Sequence, residues 1–195
     1  MSVVIAVKQG DRVWFGADTQ STRGTDKYNY LDVNDFKLHK LDNGIVYSWT
    51  GATRTSQFIE AHREWLTLDA NDNLTKEHIV TQIVPKLYEA LAEEDMLEKN
   101  EDGVPPTMEG CMLLAFKDKL FEINQDFKVY RFKDYRTTGC GANAIVYGLS
   151  KLEKTKPINA QILRLLKLSE KQDSGVSGPF VFIDTKDLNF KVKEG

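Results

Sequence analysis

Two apolar patterns alternate along the chain, one with a period of two and one with the period of a helix. Residues 2–8 are mostly β-branched and apolar, Gly10-Asp11 is a turn dipeptide, and 13–17 resume the run, which predicts a hairpin. A second pair follows. Residues 36–41 alternate, Asp42-Asn43-Gly44 turns the chain, and 45–50 continue as the partner strand. Gly51 ends that strand. Beyond it Phe58, Ile59, His62, Trp65 and Leu66 fall on one helical face, with Thr53 or Thr55 as the expected N-cap. Ile79, Ile83, Leu87 and Leu91 mark a second helix, in which Pro85 predicts a kink or a late start. Residues 93–110 are polar, hold Pro105-Pro106 and read as a surface connection.

The second half repeats the theme. Residues 111–116, 120–124 and 129–132 read as short strands separated by turn residues. Gly139-Cys140-Gly141 leads into a helix carrying Ile145, Val146, Leu149 and Leu152, and Pro157 precedes another through Ile158, Ile162, Leu165 and Leu166. Two strands, 180–184 and 189–192, close the chain. Hairpins imply antiparallel sheets, and helices grouped in pairs imply layers rather than βαβ alternation. The order fits an α+β fold, a four-layer α-β-β-α sandwich of two antiparallel sheets between helix pairs, built as a single domain over 1–195.

Composition narrows the function more than the fold. The 195 residues suffice for a sizeable core, and no linker-like segment divides them. A net charge of −3 gives no electrostatic reason to expect nucleic acid as a partner. No apolar stretch approaches a membrane span, and the start lacks the basic region and cleavage site of a signal peptide. The mature protein is therefore expected to begin at or beside residue 1. Cys111 and Cys140 make no disulfide framework, so a reducing cytoplasm is the expected setting. His39, His62 and His78 lie far apart without metal-ligand spacing. Gly139 to Ala144 matches G-x-G-x-x-A only late in the chain, with no acidic residue near position 160. No metal or cofactor is expected.

The candidate chemistry begins at Ser2. Methionine is generally trimmed before a small residue, and removal of Met1 would leave a serine carrying both a free α-amine and a hydroxyl. An α-amine titrates near pH 8 and can act as general base toward its own hydroxyl. Many chains begin Met-Ser, so position alone says little.

Gly16-Ala17-Asp18-Thr19-Gln20-Ser21-Thr22, Lys37-Leu38, Tyr47-Ser48-Trp49-Thr50-Gly51-Ala52, Thr138-Gly139-Cys140-Gly141-Ala142 and Asp173 follow Ser2 in an order that resembles the proteasome β-subunit family and its bacterial HslV relative. That family begins at the nucleophile and carries an aspartate sixteen residues later; here Gly16-Ala17-Asp18-Thr19-Gln20-Ser21-Thr22 stands at that distance from Ser2, with Gln20 similar to the HslV form. The resemblance implies that Asp18 orients Lys37 of Lys37-Leu38, whose ammonium would stabilise charge at the hydroxyl. Tyr47-Ser48-Trp49-Thr50-Gly51-Ala52 is similar to the family's strand-to-helix junction, where the Gly51 N–H would form the oxyanion hole. Thr138-Gly139-Cys140-Gly141-Ala142 resembles its Thr-Gly-Ser-Gly loop, with Cys140 where the family has serine, a weaker hydrogen-bond partner. Asp173 fits the family's aspartate near the active site; Ser177 follows it by four residues rather than three, with Ser174 the alternative. Gln20, Ser21, Trp49 and Thr53 are the expected substrate contacts, and the Trp49 indole is expected to shrink or close the pocket.

The resemblance implies an N-terminal-nucleophile (Ntn) hydrolase acting on peptide bonds in peptide or protein substrates. It also implies a homo-oligomeric ring, with an ATP-dependent unfoldase as partner, and no nucleic acid or membrane. The absence of a long segment ahead of Ser2 points to the β rather than the α type. Two other readings stand on the same scaffold: an inactive scaffold or assembly subunit, and a small-molecule amidohydrolase.

Overall fold

Alternation within the first hairpin sets the architecture. The computed structural model describes residues 2–23, 25–30, 32, 35–99 and 103–194. In β1 (Val4–Gln9) and the residue before it, Val3, Ile5 and Val7 face one way, and Val4 and Ala6 the other. β2 (Arg12–Asp18) pairs antiparallel with β1 in the register Val4↔Ala17 to Gln9↔Arg12. β12 (Tyr135–Thr138) adds on the far side of β1; β13 (Phe180–Asp184) and β14 (Lys191–Lys193) add beyond β2. A second five-stranded sheet runs in the order β11 (Val129–Phe132), β10 (Lys119–Ile123), β9 (Gly110–Phe116), β6 (Val46–Gly51), β5 (Leu38–Lys40). Every pairing in the two sheets is antiparallel.

Three apolar clusters follow from the period of two. Val4, Ala6, Phe15 and Val181 of the first sheet meet Leu38, Val46, Leu113 and Leu120 of the second in one cluster. Tyr47, Trp49, Met112 and Leu114 point out of the second sheet onto Ile59, Ile79, Ile83, Leu87 and Leu91. Ile5 and Phe182 point out of the first sheet onto Leu149, Ile158, Ile162 and Leu166. Each such fully buried aliphatic side chain contributes about 2 kcal/mol before entropy is counted.

The helices are α1 (Thr53–Ala61), α2 (Lys76–His78), α3 (Val84–Glu93), α4 (Val146–Leu149) and α5 (Ile158–Gln172). The four apolar positions expected between 79 and 91 are all fully buried. A π turn at Ile79–Ile83 joins α2 to α3 just ahead of Pro85, where a proline lacks the N–H and would crowd the preceding turn of an α-helix.

Several features differ from the sequence reading, among them a shorter α4, which ends before Leu152, and a last strand that starts at Lys191 rather than 189. α1 starts after Ala52 with no side-chain cap, and Thr55 is buried instead of capping. The segment 93–110 is not wholly a connection: β7 (Leu97–Glu98) pairs with β8 (Thr107–Met108), anchored by fully buried Met108. β3 (Gln20–Arg23) and β4 (Asp26–Asn29) form a ribbon, and β12 closes an edge. β4 is exposed throughout, and β12 is polar, so backbone pairing holds strands that carry no apolar alternation.

Candidate active site

Ser2 leads into β1 and is 9% exposed. Its N–H donates to Cys140 Sγ at 3.2 Å, and its carbonyl accepts from the Gly141 N–H at 3.2 Å and the Cys140 thiol at 3.4 Å. The clamp is the loop between β12 and α4. Gly139 sits there at φ 95°, and a β-carbon would overlap the Ser2 carbonyl oxygen, so the loop approaches the strand only with glycine. Fully buried Ser169 of α5 pins the same loop, donating from Oγ to the Gly141 carbonyl at 3.0 Å.

Asp18 ends β2, beside the start of β1. Its Oδ1 accepts the Val3 N–H at 2.8 Å, and its Oδ2 the Gln20 N–H at 3.2 Å. Lys37, just ahead of β5, donates to Asp18 Oδ1 at 2.7 Å and to the Gln20 carbonyl at 2.7 Å. Burial pushes the Asp18 carboxyl up and the Lys37 ammonium down, and each charge opposes the other's shift. A buried ion pair stabilises a fold little after desolvation. This one anchors the backbone next to Ser2.

Gly51 closes β6. The Trp49 N–H donates to the Lys37 carbonyl and the Ala52 N–H to the Glu109 carbonyl. Amides alternate sides along an antiparallel strand, so the Gly51 N–H is on the β5 side, toward Lys37. A cavity of about 270 Å³ opens there, lined by Ser2, Lys37, Gly51 and all four expected substrate contacts, Gln20, Ser21, Trp49 and Thr53. The indole does not close it. Trp49 packs in the cluster toward α1–α3, with its N–H donating to the Ala52 carbonyl at 3.2 Å.

Asp173 follows α5. Its carboxyl accepts the Gly175 N–H at 2.8 Å, and that bond with the Cys140 thiol holds it below the usual carboxylate range. Burial and the Asp173 contact push the Cys140 thiol up. Cys140 Sγ therefore accepts the Ser2 N–H with the Asp173 carboxyl beside it. Ser177 is placed elsewhere: its hydroxyl donates to Asn29 of β4 at 3.1 Å, and its carbonyl accepts the Thr19 N–H. The Ser174 carbonyl accepts from Gln20 Nε2 at 3.0 Å and Lys27 at 2.6 Å. Met1 lies outside the described residues.

Sequence reasoning missed Ser169, His39 and Glu60. Ser169 is the small polar residue at an apolar-face position three beyond Leu166, which is itself a legible signal. His39 lines the cavity from β5, is 6% exposed, and stacks on Tyr47 at 4.7 Å between ring centres. Glu60 lines it from α1. Among the described residues no three His, Cys, Asp or Glu side chains are grouped to hold a metal ion, and no helix is long and apolar enough to cross a membrane.

No protein-family model matches the sequence, and no curated protein does. Solved structures do match. BPH of Thiobacillus denitrificans superposes with a TM-score of 0.73 at 18% identity, over 93% of this chain and 96% of that one. The Anbu complex of Pseudomonas aeruginosa, described as a helical assembly, gives 0.71 at 14% over 98% and 86%. Eukaryotic HslV from Trypanosoma brucei gives 0.63 at 15% over 93% and 98%. The chain has the fold of these proteasome-type proteins, as the resemblance in its sequence implied.

Proposed function

We propose that the chain is an Ntn peptidase in which Ser2, freed of Met1, attacks a peptide carbonyl. The α-amine takes the hydroxyl proton, directly or through a water, and returns it to the leaving amine; a second water then hydrolyses the acyl-enzyme. The Gly51 N–H donates to the developing oxyanion, and the Lys37 ammonium favours the ionised hydroxyl. Asp18 holds Lys37. Cys140, backed by Asp173, stands at the Ser2 nitrogen and orients it. The observation that carries this reading is the buried Asp18–Lys37 pair bonded to the Val3 amide, one residue from Ser2.

The two sheets with a helical cluster on each outer side support a four-layer α-β-β-α sandwich. We assign the chain to one domain and to the cytoplasm, acting as a homo-oligomer fed by an ATP-driven unfoldase. The helices support assembly by their charge. The groove between α4 and α5 carries Lys151, Arg164, Lys167 and Lys171, with Lys156 paired to Glu153, whereas α3 and the residues after it expose Glu89, Glu93, Glu94 and Glu98, with Asp95 paired to Lys99.

A fluorogenic peptide panel tests the activity. Turnover by the wild-type chain is expected to vanish in Ser2→Ala and to drop by about a hundredfold or more in Lys37→Met. Equal turnover by Ser2→Ala and wild type would exclude Ser2 as the nucleophile.

A further inference from the structure

The cavity beside Ser2 is walled by carboxylates that have no cation at contact distance among the described residues. Asp35, Glu60 and Glu109 line it. Lys37, in the same wall, is held by Asp18 and the Gln20 carbonyl. His39 does not supply the missing charge. Burial first, then the charge of Arg63, pull it down to about 4, so it is neutral near pH 7. Its Nδ1 lies 3.7 Å from Glu60 Oε1, and its buried Nε2 has no hydrogen-bond partner among the described residues.

Glu60 is only 30% exposed, and no Arg or Lys among the described residues pairs with it within 4.0 Å. Burial raises its carboxyl, the more distant Arg63 opposes, and Asp35 raises it again. Glu60 is thus partly desolvated, with the like charge of exposed Asp35 acting on it across the same space. An apolar side chain entering it would strip water from these groups without replacing it. A guanidinium or ammonium would give them charge-assisted hydrogen bonds. About 270 Å³ is room for one long side chain. Trp49 contributes to the lining, and its indole packs in the cluster toward α1–α3, which leaves this volume open.

We propose that this cavity is a subsite for a cationic side chain, lysine or arginine, on the residue whose carbonyl Ser2 attacks, with Glu60 as counter-ion and Asp35 reinforcing it. The subsite deepens the peptidase reading and rests on it for its place in the reaction.

The test compares peptides that differ only at that residue, carrying lysine, arginine, norleucine or glutamate. The expected result is kcat/KM for lysine and arginine at least about tenfold above norleucine, with glutamate lowest. Glu60→Gln is expected to cut the lysine-to-norleucine ratio by about tenfold, and Asp35→Asn to cut it less. Hydrolysis that favours norleucine, or a ratio unmoved by Glu60→Gln, overturns the subsite and leaves the peptidase reading standing. If no peptide is cleaved, the peptidase reading fails and binding decides the subsite by itself. Agmatine, but not neutral butylurea, is expected to raise the Tm of the wild-type chain and not of Glu60→Gln. No agmatine shift, or the same shift in both proteins, overturns it.

Discussion

Gly139 carries no side chain because the Ser2 carbonyl occupies the space one would need. A β-carbon must move the loop off the strand or force a positive φ on an alanine, at a cost of about 2 kcal/mol or more. Gly139→Ala is therefore expected to lower the urea midpoint and to release Cys140 from the Ser2 nitrogen, with loss of peptide turnover. An unchanged midpoint would show that the clamp is dispensable. His39 makes a second residue-scale expectation. It titrates near 4 in the fold and near 6.5 when unfolded. Between those values the unfolded chain binds more protons, so His39 lowers stability as pH falls from about 6.5 to 4, by up to about 3 kcal/mol. A urea series over that range is expected to show a shallower loss for His39→Gln than for wild type; parallel curves would mean that His39 titrates normally in the fold.

At the scale of elements, α5 carries one site contact, Ser169, and leads directly into another, Asp173, so its seat on the first sheet fixes both. That seat depends on Gly16 of β2, where a β-carbon would lie 2.5 Å from Ile162 Cγ2 and 3.2 Å from Leu166 Cδ1. Gly16→Ala is expected to destabilise by about 1–3 kcal/mol through overpacking and to reduce turnover by tilting α5. Adding Ile162→Ala should restore turnover further than stability, as read by Tm and kcat/KM together. If the pair regains neither, the helix seat is not what couples Gly16 to the site. The strands and helices with an apolar face, such as β1, β2, α3 and α5, could be read from their periods. The β3–β4 ribbon, β7–β8 and β12 could not, because their buried positions are few or polar and leave no apolar alternation to read. Asp18 and Lys37 were marked by spacing. Glu60 was not, since an acid on a helix surface becomes part of a cavity only when the fold brings β5 against it.

For the whole molecule, opposite charge on the α4–α5 groove and the α3 segment favours contact between copies that is heterologous and sensitive to salt. Sedimentation is expected to show assemblies that shrink in molar salt and in Lys167→Glu/Lys171→Glu. Mixing that variant with Glu89→Lys/Glu93→Lys should rebuild them; salt-insensitive assemblies would contradict the charge account. The assembly, the clamp and the cavity all bear on whether a serine with its own free amine is the nucleophile. Intact mass with fragment mapping, after brief exposure to a slowly deacylating peptide ester, tests it most directly. The expected result is a chain lacking Met1 with a single acyl group on Ser2, absent from Ser2→Ala. An acyl group on Cys140, or a retained Met1 on the acylated chain, would contradict it.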